Sequence, residues 1–141
     1  MSWVYEIALG GLYDDQDRRR ASGYSGHGDF RNDPTKCHVK HGPIPCGKWA
    51  LGPPYKSDKH GPYVIPLTPI EVDMTGRDGG FLVHGDSLEH PGEASEGCII
   101  LPHNNRIELW ESGCRRLLVV EKFIGRGMGD VQYADSQALQ T

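Results

Sequence analysis

Apolar and polar side chains alternate through Trp3-Val4-Tyr5-Glu6-Ile7-Ala8-Leu9, which puts Trp3, Tyr5, Ile7 and Leu9 on one face. A period of two in a β-rich composition predicts a strand. Gly10-Gly11 predicts a turn, and the charged run Asp14 to Arg20 a solvated loop or hairpin edge. Residues 22–36 carry loop chemistry almost throughout. Gly42-Pro43-Ile44-Pro45-Cys46-Gly47 predicts a turn feeding a strand over Lys48 to Leu51, and Pro53-Pro54, Gly61-Pro62 and Pro66 cut the next stretch into short extended pieces. Two apolar runs, Phe81-Leu82-Val83-His84 and Cys98-Ile99-Ile100-Leu101, predict short buried strands, the second stopped by Pro102. Asn104 or Asn105 is a candidate cap for a short helix with Ile107 and Trp110 inward, ended by Gly113. Arg116 to Phe123 predicts the last strand, and residues 125–141, polar and without periodicity, an irregular tail. The fold class is mainly β with one short helix.

Composition sharpens this picture. The chain has the length of one domain, 141 residues, and its 19 glycines and 10 prolines are spread along it. Such scatter fits many tight turns between short strands. A net charge of −4 argues against a nucleic-acid backbone as partner, and no apolar run approaches the ~18 residues of a membrane helix, so no membrane insertion is expected. The N-terminal Met-Ser-Trp-Val-Tyr-Glu shows neither the basic start nor the apolar stretch of a signal peptide. Of the four cysteines, Cys37 and Cys46 flank a turn and can bridge in an oxidising compartment, and Cys114 lies near the helix end.

Cys98 carries the chemistry. It follows Ser95-Glu96-Gly97, fourteen positions after His84, itself followed by Gly85-Asp86-Ser87. A thiol attacks as its thiolate, and a neighbouring imidazole lowers its pKa. Gly97 permits a sharp turn that turns the backbone N–H groups of Gly97 and Cys98 toward a developing oxyanion. Glu96, left charged beside a thiolate, would raise its pKa, so it is expected to point outward. Tyr24, Ser25 and His27 lie in a glycine-rich loop bordering the expected cleft, where Tyr24 and Ser25 are candidate substrate-binding residues.

His84-Gly85 followed by Ser95-x-Gly97-Cys98 and apolar residues resembles the signature of YkuD-like L,D-transpeptidases. Glu96 and Ile100 depart from that pattern, and both departures resemble a narrower branch, the type VI secretion L,D-transpeptidase effectors. The similarity to that branch runs from Gly23-Tyr24-Ser25-Gly26-x-Gly28 through Gly42-Pro43-Ile44-Pro45-x-Gly47, Gly61-Pro62 and Leu67-Thr68-Pro69. It continues through Phe81-x-x-His84-Gly85-Asp86-Ser87 and Pro91-Gly92-x-Ala94-Ser95-Glu96-Gly97-Cys98-Ile99-Ile100-Leu101-Pro102 to Arg106.

The resemblance implies a catalytic domain over residues 1–124 built as a mixed β-sheet sandwich, with Cys98 as nucleophile and His84 as its base. The group orienting His84 would be a backbone carbonyl or a nearby hydroxyl, with Ser95 the nearest candidate; a turn serine bonding its own backbone is the other reading of Ser95. Arg106 would bind a substrate carboxylate, or serve only as a surface arginine near a helix start. The implied substrate is the peptidoglycan stem tetrapeptide, attacked at the carbonyl before the terminal D-Ala, with no cofactor. The implied setting is a monomeric antibacterial toxin exported by the type VI machinery to the periplasm of rival cells, with a cognate periplasmic immunity protein. Two other readings stand beside it. One is a zinc peptidase using His84, Asp86, His90, Cys98 and His103, and the other a catalytically silent wall-binding module of a secretion or phage-tail machine.

Overall fold

The computed structural model describes residues 1–125, and of the expected irregular tail 125–141 everything from residue 126 lies outside the described residues. The described strands are β1 (Trp3–Glu6), β2 (Gly11–Tyr13), β3 (Arg19–Ser22), β4 (Tyr24–Ser25), β5 (Gly47–Leu51), β6 (Tyr55–Ser57), β7 (Gly61–Val72), β8 (Leu82–His84), β9 (Ile99–Ile100) and β10 (Arg116–Val120). One α-helix, α1 (His103–Glu111), lies between β9 and β10. The strands follow one hydrogen-bonded path, β3-β2-β1-β10-β5-β7-β8-β9-β4, with β6 on the side of β7. The sheet is mixed: β1 runs parallel to β10 and β8 parallel to β9, while the other pairs are antiparallel.

The path curls until its ends meet. Its terminal strands, β3 and β4, are neighbours in the chain with only Gly23 between them. The Gly23 N–H donates to the Gly10 carbonyl at 2.7 Å. A Cβ on Gly23 would stand 1.9 Å from the Ile100 carbonyl oxygen, and one on Gly10 would stand 1.9 Å from the Gly23 oxygen. The near-barrel thus closes where three backbones approach too closely for side chains. Inside lies one cluster that includes Trp3, Tyr5, Ile7, Leu12, Trp49, Ile65, Val83, Ile99, Leu117 and Val119, with Leu109 of α1 packed into it.

Several expectations change. The first strand ends at Glu6, because the chain turns through Gly10 at φ 67° with its N–H on the Ile7 carbonyl, and Leu9 is left 67% exposed. Val4 is also buried, on the opposite face, with Leu118 and Val120 under Tyr13 and Phe123. The charged run 14–20 forms a β2–β3 hairpin, and its Asp14 is buried rather than solvated. Asp14 accepts from the backbone N–H groups of Gln16 and Arg18 and from Arg18 Nε. Burial pushes its carboxyl upward, but those donors outweigh burial and hold it below the usual range.

The prolines do not break the 61–72 stretch. β7 is one strand of 12 residues that changes partners along its length, with β6 and β8 on its first half and β5 on its second. The β5 register steps from Lys48↔Glu71 to Trp49↔Pro69, a bulge at Ile70 that accommodates the proline. The helix starts at His103 with Pro102 ahead of it and no side-chain cap, while Asn105 Nδ2 reaches the Arg20 carbonyl. Its fully buried residues are Arg106 and Leu109, the Arg106 guanidinium finding carbonyl partners inside; Trp110 packs partly buried against the core as expected, while Ile107 is only half-buried. Gly113, at φ 84°, follows the helix as expected. The last strand stops at Val120.

Replacing Gly23 by Ala forces Cβ into the Ile100 carbonyl and is expected to cost roughly 3 kcal/mol, at the upper end of overpacking effects. Gly79→Ala, at a glycine with open space around it, is expected to stay within about 0.5 kcal/mol of the parent. Urea unfolding of the two variants measures the contrast.

Candidate active site

The parallel β8–β9 pair aligns Val83 with Ile99 and His84 with Ile100. Val83 and Ile99 enter the core. Strand alternation therefore puts His84, and Cys98 just ahead of β9, on the other face. Both line one cleft of about 760 Å³. A second cleft of about 940 Å³ also reaches His84 but not Cys98. His84 thus stands where the two clefts meet.

His84 is buried. Its Nδ1 lies 2.9 Å from the carbonyl oxygen of Gly85. A carbonyl only accepts, so the proton sits on Nδ1 and Nε2 keeps its lone pair. The His60 ring stacks on the imidazole with centroids 3.9 Å apart and planes 25° apart. Burial lowers the His84 pKa to about 4; the Gly85 bond opposes that fall, while His60, Arg106 and Lys59 add to it. Burial moves the Cys98 thiol the other way, upward, against the Leu82 N–H, Lys59 and Arg77, which favour the thiolate. Burial thus works against the charged form of both groups, the imidazolium and the thiolate, and so opposes the thiolate–imidazole pair expected from the sequence.

Ser95 does not orient His84. Its buried hydroxyl donates to the Cys98 carbonyl at 2.6 Å and accepts from the N–H groups of Gly26 at 2.9 Å and Gly97 at 3.1 Å. It is a loop-building serine, and the Gly85 carbonyl takes the orienting role. The same bond engages the Gly97 N–H, which removes it from the expected oxyanion pair. Gly97 itself adopts φ 132°, a backbone conformation that side chains rarely permit, and a Cβ there would also crowd Arg77 Nη2 at 2.5 Å.

Ser25 is buried and structural too. Its hydroxyl donates to the Gly97 carbonyl and accepts from the Ile44 N–H, so it is no substrate ligand. Tyr24 lines the second cleft, but its hydroxyl donates to Asp86 at 2.6 Å and accepts from the Ala94 N–H. Burial, reinforced by Asp86, pushes its pKa up to about 12. Asp86 also accepts from the N–H groups of Ser87 and Gly92, so Tyr24 latches both ends of the loop after His84. His27 borders the second cleft as expected, and its backbone N–H donates to the His41 carbonyl.

Arg106 is neither a carboxylate clamp nor a surface residue. It is buried, and its guanidinium donates to the carbonyls of Tyr63, Leu101 and Pro62, fastening α1 to β7 and to the end of β9. Glu96 is exposed, 3.9 Å from His41 Nδ1, but it does not turn away from the site as expected: it lines the same cleft as Cys98, and its charge adds to the rise of the thiol pKa. No disulfide joins Cys37 and Cys46.

The zinc ligands proposed from the sequence do not converge. Asp86 is engaged by Tyr24 and backbone N–H groups, His90 lies near Glu93 in solvent, and His103 sits against Tyr63. Among the described residues no three His, Cys, Asp or Glu side chains form a metal-sized group.

Three neighbours of the site escaped sequence reading. His60 and Lys59 lie in the β6–β7 turn, and Arg77 in a glycine-rich loop, where each reads as surface. Arg77 donates to the carbonyls of Cys37, Gly42 and Pro43, binding the 37–43 segment behind Cys98. No local pattern marks these residues; only their distant partners do.

The family profile described as the Tlde1 domain matches residues 19–122. No curated protein matches the chain in sequence. Among solved structures, the crystal structure of Mycobacterium tuberculosis L,D-transpeptidase 1 is similar, with a TM-score of 0.48 at 16% identity over 84% of this chain. The match spans 57% of that protein, little more than half its length.

The depressed His84 pKa has a consequence for stability. Between the ordinary value of 6.5 and about 4 the unfolded chain binds a proton that the folded chain refuses. Stability is therefore full above pH 6.5 and falls as the pH drops toward 4, by up to about 3 kcal/mol from this group. Urea unfolding at pH 7 and 4.5 is expected to show that loss, and His84→Gln to show a smaller one.

Proposed function

The chain belongs to the Tlde1 domain family, and on that premise we propose that it is a cysteine acyltransferase acting on peptidoglycan stem peptides, with L,D-transpeptidase and L,D-carboxypeptidase outcomes. The observation that carries the reading is the shared cleft face on which the β8–β9 pair puts His84 and Cys98, with the Gly85 carbonyl holding the imidazole so that Nε2 is the basic nitrogen.

In this proposal the neutral pair acts in concert. Cys98 Sγ bonds to the carbonyl carbon of the third stem residue as His84 Nε2 takes the thiol proton. The oxyanion leans on the Cys98 N–H, the remaining donor of the expected pair. When the C–N bond breaks, the imidazolium returns the proton to the amine of the departing D-Ala, leaving a thioester. Water then gives a shortened stem, and an amine gives an exchanged or crosslinked one. In either case the entering nucleophile yields its proton to His84, and the proton goes back to the sulfur as it leaves. A resting neutral thiol suits an enzyme that must not react before substrate arrives.

The family reading extends to delivery. The protein would be a type VI secretion effector acting in the periplasm of target bacteria, with an immunity protein covering the cleft in its producer. No helix among the described residues is long and apolar enough to cross a membrane.

Incubated with purified tetrapeptide muropeptides, the protein is expected to release D-Ala, and Cys98→Ala to lose all measurable turnover, while Cys114→Ala retains it. Mass spectrometry checks both, and release from pentapeptides ending in D-Ala-D-Ala at the same rate would place the activity elsewhere.

Directed to the periplasm of a test bacterium by an added export signal, the protein is expected to cause swelling or lysis, and to be nearly harmless in the cytoplasm. Equal toxicity in both compartments would remove the wall as target.

A further inference from the structure

One aromatic contact in the site has no part in the proton and acyl transfers above. The His60 ring lies against the face of His84 at a centroid distance of 3.9 Å. The bond from Nδ1 to the Gly85 carbonyl fixes one direction of the imidazole but leaves the ring free to rock about that axis. A second plane stacked on it removes the freedom and covers a face that water would otherwise reach.

The turn that carries His60 is built to hold it. Ser57 Oγ accepts from the N–H groups of both Lys59 and His60, at 3.2 and 3.0 Å. Gly61, at φ 83°, then reverses the chain into β7, and Ser57 pairs with Gly61 across the hairpin. His60 is half-buried and lines both clefts.

We propose that His60 is a positioning residue for the base, its stacked ring fixing the plane of the His84 imidazole and shielding one face of it from water. The inference rests on the reading of His84 as base only for its catalytic consequence; the contact itself belongs to the free protein. The cationic and imidazole groups around His84 act in the same sense. His60 and Lys59 face it from the β6–β7 turn and Arg106 from α1, all opposing a positive imidazole, and Cys98 stands ahead of β9. Glu93, exposed in the loop after β8, lines the same clefts. The burial that lowers the pKa of His84 lowers that of His60 as well.

The test reads the imidazole directly, by long-range proton–nitrogen spectra of the 15N-labelled full chain across a pH titration, beside the pH profile of kcat/KM on tetrapeptide stems. In the parent protein His84 is expected to titrate near about 4. In His60→Ala the midpoint moves upward by at least about one unit, the acid limb of kcat/KM moves with it, and kcat/KM at pH 7 falls roughly ten- to a hundredfold, the scale of a misplaced catalytic group. His60→Phe, which keeps a flat ring without a titrating nitrogen, restores the midpoint and most of the rate. His60→Asn, suited to a turn, is expected to match His60→Ala and serves if the alanine variant does not fold. An unmoved His84 midpoint in both ring-less variants overturns the proposal, as does a His60→Phe that behaves like His60→Ala. If the ring titrations follow expectation while the parent releases no D-Ala, the substrate assignment falls and the positioning role stands.

Discussion

The parallel pairing of β8 with β9 is the constraint on which the site depends. Two residues fourteen positions apart come to line one cleft because Val83 and Ile99 are drawn side by side into the core, leaving His84 and Cys98 on the opposite face. A parallel pair cannot be joined by a tight hairpin and needs a connection of a dozen or more residues. Here the connection between His84 and Cys98 carries no helix or strand to stiffen it. Its rigidity comes from a few side chains, and two of them belong to β4. Tyr24 holds Asp86 and the Ala94 N–H, while Ser25 holds the Gly97 carbonyl; Ser95 secures the turn at Cys98 from within. The closing strand of the near-barrel is therefore also the brace of the loop that presents the thiol.

This bracing explains why several polar residues near the thiol are not ligands. A buried hydroxyl or guanidinium without partners costs more than its hydrogen bonds return. Ser25, Ser95 and Arg106 meet that demand by satisfying backbone groups of segments distant in the chain or of the loop before Cys98. What remains for chemistry is small: one thiol, one imidazole with its second nitrogen committed to Gly85, and cationic neighbours in Lys59 and Arg77. Burial sets their resting state. It disfavours the imidazolium and the thiolate alike.

The alternation of Trp3 to Ile7, the two apolar runs at 81–84 and 98–101, the breaks at Pro102 and Gly113 and the mainly β class were legible because each is a local property of spacing, propensity or turn chemistry. The pair His84 and Cys98 was legible because its motif is written in residue types at fixed separation. Its shared cleft is where the structure puts both.

What the tertiary structure alone decided is everything that depends on a partner distant in the chain. Leu9 was assigned inward because alternation cannot see where a strand stops, and Asp14 outward because charge density cannot see a hairpin that wraps a carboxylate in N–H groups. Arg106 looked like a free cation until Pro62, Tyr63 and Leu101 arrived from another strand and from the end of β9 to occupy it. The stacking of His60 on His84 and the protonation preference of the site have the same origin. The sequence by itself determined which residues can do chemistry and which segments can be strands. The curl of the sheet decided which of those residues are buried, what their hydrogen bonds are spent on and which stay available to a substrate, because burial and hydrogen-bond saturation are properties of neighbours and not of position in the chain.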